Sequence, residues 1–322
     1  MATTAHIEER KLEKLDFKRI VMATDFSTVS QRALEYALAI ARRYGSEISV
    51  VHAISPEPRD PVPLEPLPRE LNRKLLDAEQ KMRRLEQESH LKDIAYHTVL
   101  QQGPVWDVIS SIIERDHPGL LVLGTHGRRA LKKLVLGSVA EEVLRMASCP
   151  VLTVGRKAAS PGSDVARFKS ILFATDFSPA SARALPYARF LAEDCQAKLV
   201  LLHMVPPLPV LETRPLGFEP AMCAAVDLTE WQNRMRAEGL RRLRELIPSD
   251  AELPSPPEYL AEMDFVPEGI LDAAATHHAD LIVMGANRTR SSRVTAHIPW
   301  DLTHDILCRA ECPVLTVGSC HG

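Results

Sequence analysis

Residues 124–142 read GTHGRRALKKLVLGSVAEE, with glycines at 124, 127 and 137 and Ser138 directly after the last, a G-x2-G-x9-G-S spacing. Glycine lets backbone N–H groups close on an anion with no Cβ in the way. Gly137-Ser138 stands where a helix begins. N–H groups without intrahelical partners meet the positive end of a helix dipole there, an arrangement that suits phosphate. Arg128, Arg129, Lys132 and Lys133 add positive charge nearby. The spacing is neither G-x4-G-K-[ST] nor G-x-G-x2-G. Ser138 and Glu141 also have the spacing of a capping box, which needs no ligand. The chemistry on offer is the holding of a phosphate. Turnover asks in addition for a metal clamp and an oriented nucleophile.

Other residue types that can do chemistry have simpler uses. Asp25 follows a short apolar run and recurs as Asp176 in a stretch without the glycines, as a turn or capping Asp would. His52 and His203 close matching apolar runs and read as partly buried structural histidines. His126 lies inside the glycine loop. His304, Cys308 and Cys312 lie four apart, but the spacing fits no established zinc pattern and no metal is assigned. The six cysteines are too few for a disulfide scaffold and read as reduced thiols.

The elements that must position the loop occur twice. Residues 17–54 and 168–205 align without a gap, with 16 of 38 positions identical and the run ATDFS shared. HPGLLVLG (117–124) matches HADLIVMG (278–285), and CPVLTVG occurs at both 149–155 and 312–318. The chain therefore divides into units at 17–155 and 168–318, joined by the linker-like RKAASPGSDVA. Each unit alternates short buried strands with helices. Ser27 and Ser178 are N-caps, Pro179 takes the first helical position, and Gly45 stops the first helix. Leu71, Leu75, Ala78, Met82 and Leu85 give a second helix an apolar face, as do Leu228, Trp231, Met235, Leu243 and Leu246. Such a string predicts an α/β fold of two tandem doubly wound parallel sheets, five strands each, with helices on both faces. Ligands sit at the carboxyl ends of such strands, where strand order reverses.

The ATDFS start, the HAI or HMV after the second strand, the glycine spacing and the CPVLTV end resemble the universal stress protein family, over both units. The glycine spacing resembles its ATP-binding branch. The resemblance implies strand order 3-2-1-4-5, ATP (with or without Mg2+) at the switch point between strands one and four, and dimers formed by pairing fifth strands. It implies that Asp25, with Thr24 beside it, holds the adenosine end and that Ala53 lends its backbone to the adenine pocket. Leu123 and Gly124 would line the ribose. Gly127, Gly137, Ser138, Val139 and Ala140 would supply N–H groups, and Ser138 its hydroxyl, to the phosphates. A stress-response regulatory role follows, the second unit being structural or partner-facing; a slow ATPase or autokinase using the same pocket is the alternative.

The second unit lacks the motif. Arg288 stands where Gly127 would, no glycine separates Gly285 from Gly318, and Asp301 is expected to cap the following helix. Side chains throughout that loop, whatever the charge of Arg288, Arg290 and Arg293, keep N–H groups from an anion. One ATP per chain is expected. The fifth strands, Val151 to Val154 and Val314 to Val317, are apolar outer strands with open ladders, predicted to meet within one chain as a pseudo-dimer; further homodimerisation stays open. With 39 basic and 42 acidic residues the net charge is −3, which predicts no broad grip on nucleic acid or a membrane surface. No apolar run reaches the roughly 18 residues of a membrane span, and residues 2–16 are charged, so a cytoplasmic location is expected.

Overall fold

A computed structural model of the chain describes residues 15, 17–55, 68–87, 91, 93–125, 136–161, 167–205, 228–248, 251–286 and 300–318. The first unit runs β1 (Arg19–Ala23), α1 (Thr28–Tyr44), β2 (Glu47–Ile54), α2 (Pro68–Gln87), β3 (Tyr96–Gln102), α3 (Val105–Asp116), β4 (Leu120–Gly124), α4 (Ser138–Met146) and β5 (Val151–Val154). The second runs β6 (Ser170–Ala174), α5 (Pro179–Cys195), β7 (Lys198–Val205), α6 (Leu228–Glu245), β8 (Glu258–Met263), α7 (Val266–Thr276), β9 (Leu281–Ala286), α8 (Trp300–Arg309) and β10 (Val314–Gly318).

The strands lie in the order β3-β2-β1-β4-β5-β10-β9-β6-β7-β8, so each half has the order 3-2-1-4-5 and is parallel throughout. The halves share one ten-stranded sheet because β5 and β10 pair antiparallel. Val151 faces Thr316, Leu152 faces Leu315 and Thr153 faces Val314. Two apolar cores cover the faces. One packs α1, α2, α5 and α6 on the sheet, and the other packs α3, α4, α7 and α8. The strands are apolar on both sides because both faces are covered; Ile20, Val21 and Met22 are all buried.

The helix signals act as the residue types require. Ser27 accepts the Ser30 N–H at 3.2 Å, and Ser178 accepts the Ser181 N–H at the same distance. Gly45 closes α1 at φ 63, a left-handed turn that costs glycine nothing. On α2, Ala78, Met82 and Leu85 are buried while Leu71 and Leu75 are half-buried; on α6 only Leu243 of the expected five is buried. Neither 56–67 nor 206–220, both rich in proline, falls within the described residues.

One cap differs from expectation. Gly137, not Ser138, is the N-cap of α4, and no side chain caps that turn. Glu141 reaches forward to Arg145, at 3.0 Å, instead of back to the cap, so there is no capping box. Asp301 likewise falls inside α8, which begins at Trp300, rather than at its cap.

Candidate functional site

The ATDFS run builds the same turn twice. In the first unit, Thr24 Oγ1 accepts the Phe26 N–H at 3.0 Å and lies 3.1 Å from Ser30 Oγ. Asp25 Oδ1 accepts the Ser27 N–H at 3.0 Å, and Ser27 caps α1. The second unit repeats each bond through Thr175, Asp176, Phe177, Ser178 and Ser181, at 2.9 to 3.2 Å. Phe26 and Phe177 occupy left-handed backbone at φ 59 and φ 60, costly for a bulky side chain. The surrounding bonds hold them there. So does a ring contact with a histidine near the end of the second strand of each unit, 4.6 Å between centroids for Phe26 and His52 and 4.4 Å for Phe177 and His203. Each histidine places Nδ1 against the threonine carbonyl, at 2.7 Å from Thr24 O and 2.9 Å from Thr175 O.

The two carboxylates thus belong first to the turn. Burial drives the Asp176 pKa up, but the Ser178 hydroxyl and backbone bonds outweigh it and keep the carboxyl below its ordinary range. Burial is also the first cause holding the His203 imidazole below its usual value, with Arg242 adding to it.

Gly124 ends β4 next to β1. A Cβ there would stand 3.0 Å from Val29 Cγ1 and 3.3 Å from the Ser30 nitrogen. At Gly285, its counterpart, a Cβ would stand 2.3 Å from both Ala180 C and Ser181 N. Close approach of the strand to the first helix therefore excludes a Cβ at Gly285, in the unit without the phosphate motif, and crowds one at Gly124. Leu123 is buried, at 3% exposure; its side chain belongs to the core beneath the strand end.

At α4 the Gly137 N–H donates to Thr125 O at 2.8 Å, so it is already used. The first helical bond runs from the Glu141 N–H to Gly137 O, at 2.9 Å. The N–H groups of Ser138, Val139 and Ala140 precede it, at the positive end of the helix, with no side-chain cap. Ser138 is exposed, Val139 half-buried and Ala140 buried. Gly127 lies outside the described residues, as do His126, Arg128, Arg129, Lys132, Lys133, Arg288, Arg290, Arg293 and Pro299. Ala53 lines a cavity of about 230 Å3 with Phe26, His52, Ile54, Ser55, Lys74, Asp77 and Ala78. Asp25 and the α4 N-terminus are not part of that lining.

Two residues of this neighbourhood carry no sequence signal of their own. Thr125 fixes Gly137 through its carbonyl, and its own N–H bonds Val154 O at 3.0 Å. Leu136, directly before the cap, donates its N–H to Nε2 of His304, from the second unit, at 3.3 Å. Cys308 Sγ lies 3.9 Å from the same nitrogen. Cys312 sits apart from this pair, buried in the turn before β10; among the described residues no group of three His, Cys, Asp or Glu could hold a metal ion. Cys149, Cys195, Cys308 and Cys312 are free thiols. Among the described residues no helix is long and apolar enough to cross a membrane.

Comparison with known proteins gives these features relatives. The model of the universal stress protein family matches residues 16–155 and again 167–318. Universal stress protein MJ0531 of Methanocaldococcus jannaschii is 31% identical over 140 residues, covering 43% of this chain and 82% of that protein. MJ0577 from the same organism is 30% identical over 158 residues, 44% of this chain and 96% of that protein. The crystal structure of a universal stress protein from Archaeoglobus fulgidus superposes with a TM-score of 0.62, 21% identity, and coverage of 94% of this chain and 99% of that one, a likeness of fold.

Proposed function

The chain belongs to the universal stress protein family, with two tandem domains, and on that premise we propose that its first domain binds ATP in a regulatory role while the second is structural. One observation carries this reading. The α4 N-terminus is capped by a glycine and by no side chain, which leaves the N–H groups of Ser138, Val139 and Ala140 to an anion at the carboxyl end of β4. β4 and β1 are adjacent, and their helices α4 and α1 pack on opposite faces, which is the switch point of a doubly wound sheet. The triphosphate would lie on those three N–H groups and the exposed Ser138 hydroxyl. Gly137 would contribute the space left by its missing side chain, since its N–H is spent on Thr125. The adenosine end would rest against Thr24, Asp25 and the Ala53 backbone, with Leu123 and Gly124 below the ribose.

Binding rather than turnover suits the carboxylates at the site. Asp25 accepts the Ser27 N–H and Glu141 pairs with Arg145. In the second domain Trp300 stands in the sequence where Gly137 stands in the first, so the freedom from a Cβ at that position is lost. We further propose that the β5–β10 ladder makes the chain an intramolecular counterpart of a family dimer. The identity of the ligand is tested by denaturing the purified protein and weighing the released nucleotide: ATP in the wild type and none in Gly137→Val supports the reading, and equal yields from both overturn it.

A further inference from the structure

We propose that His304 is a positioning residue of the first domain's phosphate-binding turn, supplied by the second domain. The inference rests on the nucleotide reading for its consequence, but its geometry stands alone. Two peptide N–H groups precede α4. Gly137 gives its own to Thr125 O, within the first domain, at 2.8 Å. Leu136 gives its own to His304 Nε2, across the domain boundary, at 3.3 Å. Leu136 is 2% exposed, so its N–H has little access to water and depends on a protein partner. Together the two bonds set the direction in which the uncapped first turn of α4 points.

Nε2 is the acceptor of the Leu136 N–H, which assigns the ring proton to Nδ1, and Nδ1 faces Asp305 Oδ1 at 3.5 Å on the same helix. Cys308 flanks the ring from the next turn and its sulfur also lies within reach of the Leu136 N–H, a weaker second acceptor beside Nε2; burial pushes its thiol up to about 11, so it stays uncharged.

The helix bearing His304 is itself anchored to the first domain. A Cβ at Gly155, just after β5, would stand 3.3 Å from Ala310 O and 3.9 Å from Leu307 O, so the end of α8 lies directly on that strand end. Thr125, which holds Gly137, bonds to Val154 of the same strand. The turn before α4, the end of β5 and α8 therefore form one contiguous body.

The support runs one way. Counting back from the matched Cys149 and Cys312, the counterpart of Leu136 is Pro299, which has no N–H to give, and the counterpart of His304 is Glu141, which pairs with Arg145. The second domain steadies the first domain's site and receives no equivalent bond. Ligand on the α4 turn and packing of the two domains are then linked, each favouring the other.

The test uses the full chain with His304→Ala and His304→Gln; the Gln side-chain carbonyl can accept the Leu136 N–H in place of Nε2. Amide hydrogen exchange without nucleotide is expected to speed up at Leu136 by about tenfold in His304→Ala, the scale of one lost hydrogen bond, and to return within about twofold of wild type in His304→Gln. ATP affinity should weaken by about five- to tenfold in His304→Ala and recover in His304→Gln. Unchanged Leu136 exchange in His304→Ala, or a folded His304→Gln as impaired as His304→Ala, overturns the inference. A wild type that takes up no ATP overturns the nucleotide reading instead, and Leu136 exchange then decides the role of His304 without it.

Discussion

Leu152 lies directly opposite Leu315 in the antiparallel ladder, and each is the other's counterpart in the sequence repeat. A pseudo-twofold axis therefore passes between them. It relates Thr153 Oγ1, which donates to Val314 O at 3.1 Å, to Thr316 Oγ1, which donates to Val151 O at 3.3 Å. Both hydroxyls are buried. Thr153→Val and Thr316→Val should each cost about 1 kcal/mol, measured by denaturant unfolding. Thr153→Pro, which removes an N–H that faces Val314 in the β5–β10 ladder, should separate the domains. Solution scattering that shows an unchanged radius for that variant, with unchanged melting, would contradict the pairing.

The strand-four glycines offer a graded test of packing. Gly285→Ala drives a Cβ into the backbone of Ala180 and Ser181, whereas Gly124→Ala meets mainly the movable end of Val29. Overpacking of this kind costs about 1–3 kcal/mol and occasionally more. Gly285→Ala should sit at or above the top of that range and Gly124→Ala near the bottom. The reverse order in thermal melts would mean that the strand-to-helix spacing in the two domains is not as described.

Much of this was legible in the residues, for physical reasons. The repeat and the Ser27, Ser178 and Gly45 signals are local, and local chemistry set the helix ends. The parallel, doubly wound sheet followed from short buried strands joined by helical crossovers, and its 3-2-1-4-5 order from the family resemblance. The ATDFS run was visible, and its recurrence as Asp25 and Asp176 read as a turn or capping Asp. Thr24 and Asp25 also read as ligand residues by resemblance, and the structure shows both engaged in the turn; the positive φ of Phe26 that this turn holds had no local signal. The capping box at Ser138 and Glu141 failed because Glu141 found Arg145 one turn on, a choice the S-x-x-E spacing cannot reveal. His304 was conspicuous only for its distance from Cys308. Its contact with Leu136 spans 168 positions and exists only because two domains fold together.

Acid should destabilise the chain in a step that belongs to the second domain. Burial holds His203 below its usual value near 6.5, while its Nδ1–H donates to Thr175 O. The unfolded chain binds that proton more tightly than the folded one. The stabilising contribution is therefore complete above about pH 6.5 and is lost as the pH falls below it. Melting temperature recorded from pH 7.5 to 5 should decline through this window. His203→Asn, whose amide can still donate to Thr175 O, should flatten the decline; a variant that declines as steeply as wild type would assign the step elsewhere.

The most direct measurement is a calorimetric titration of the full chain with ATP. The account predicts one site per chain, abolished by Gly137→Val and left nearly unchanged by Trp300→Ala. Gly137 has φ −63 and ψ 140, a conformation open to any residue, so the valine variant should keep its fold and its circular dichroism. Two sites per chain, or a folded Gly137→Val protein that binds ATP as the wild type does, would contradict the assignment of the nucleotide to the first domain.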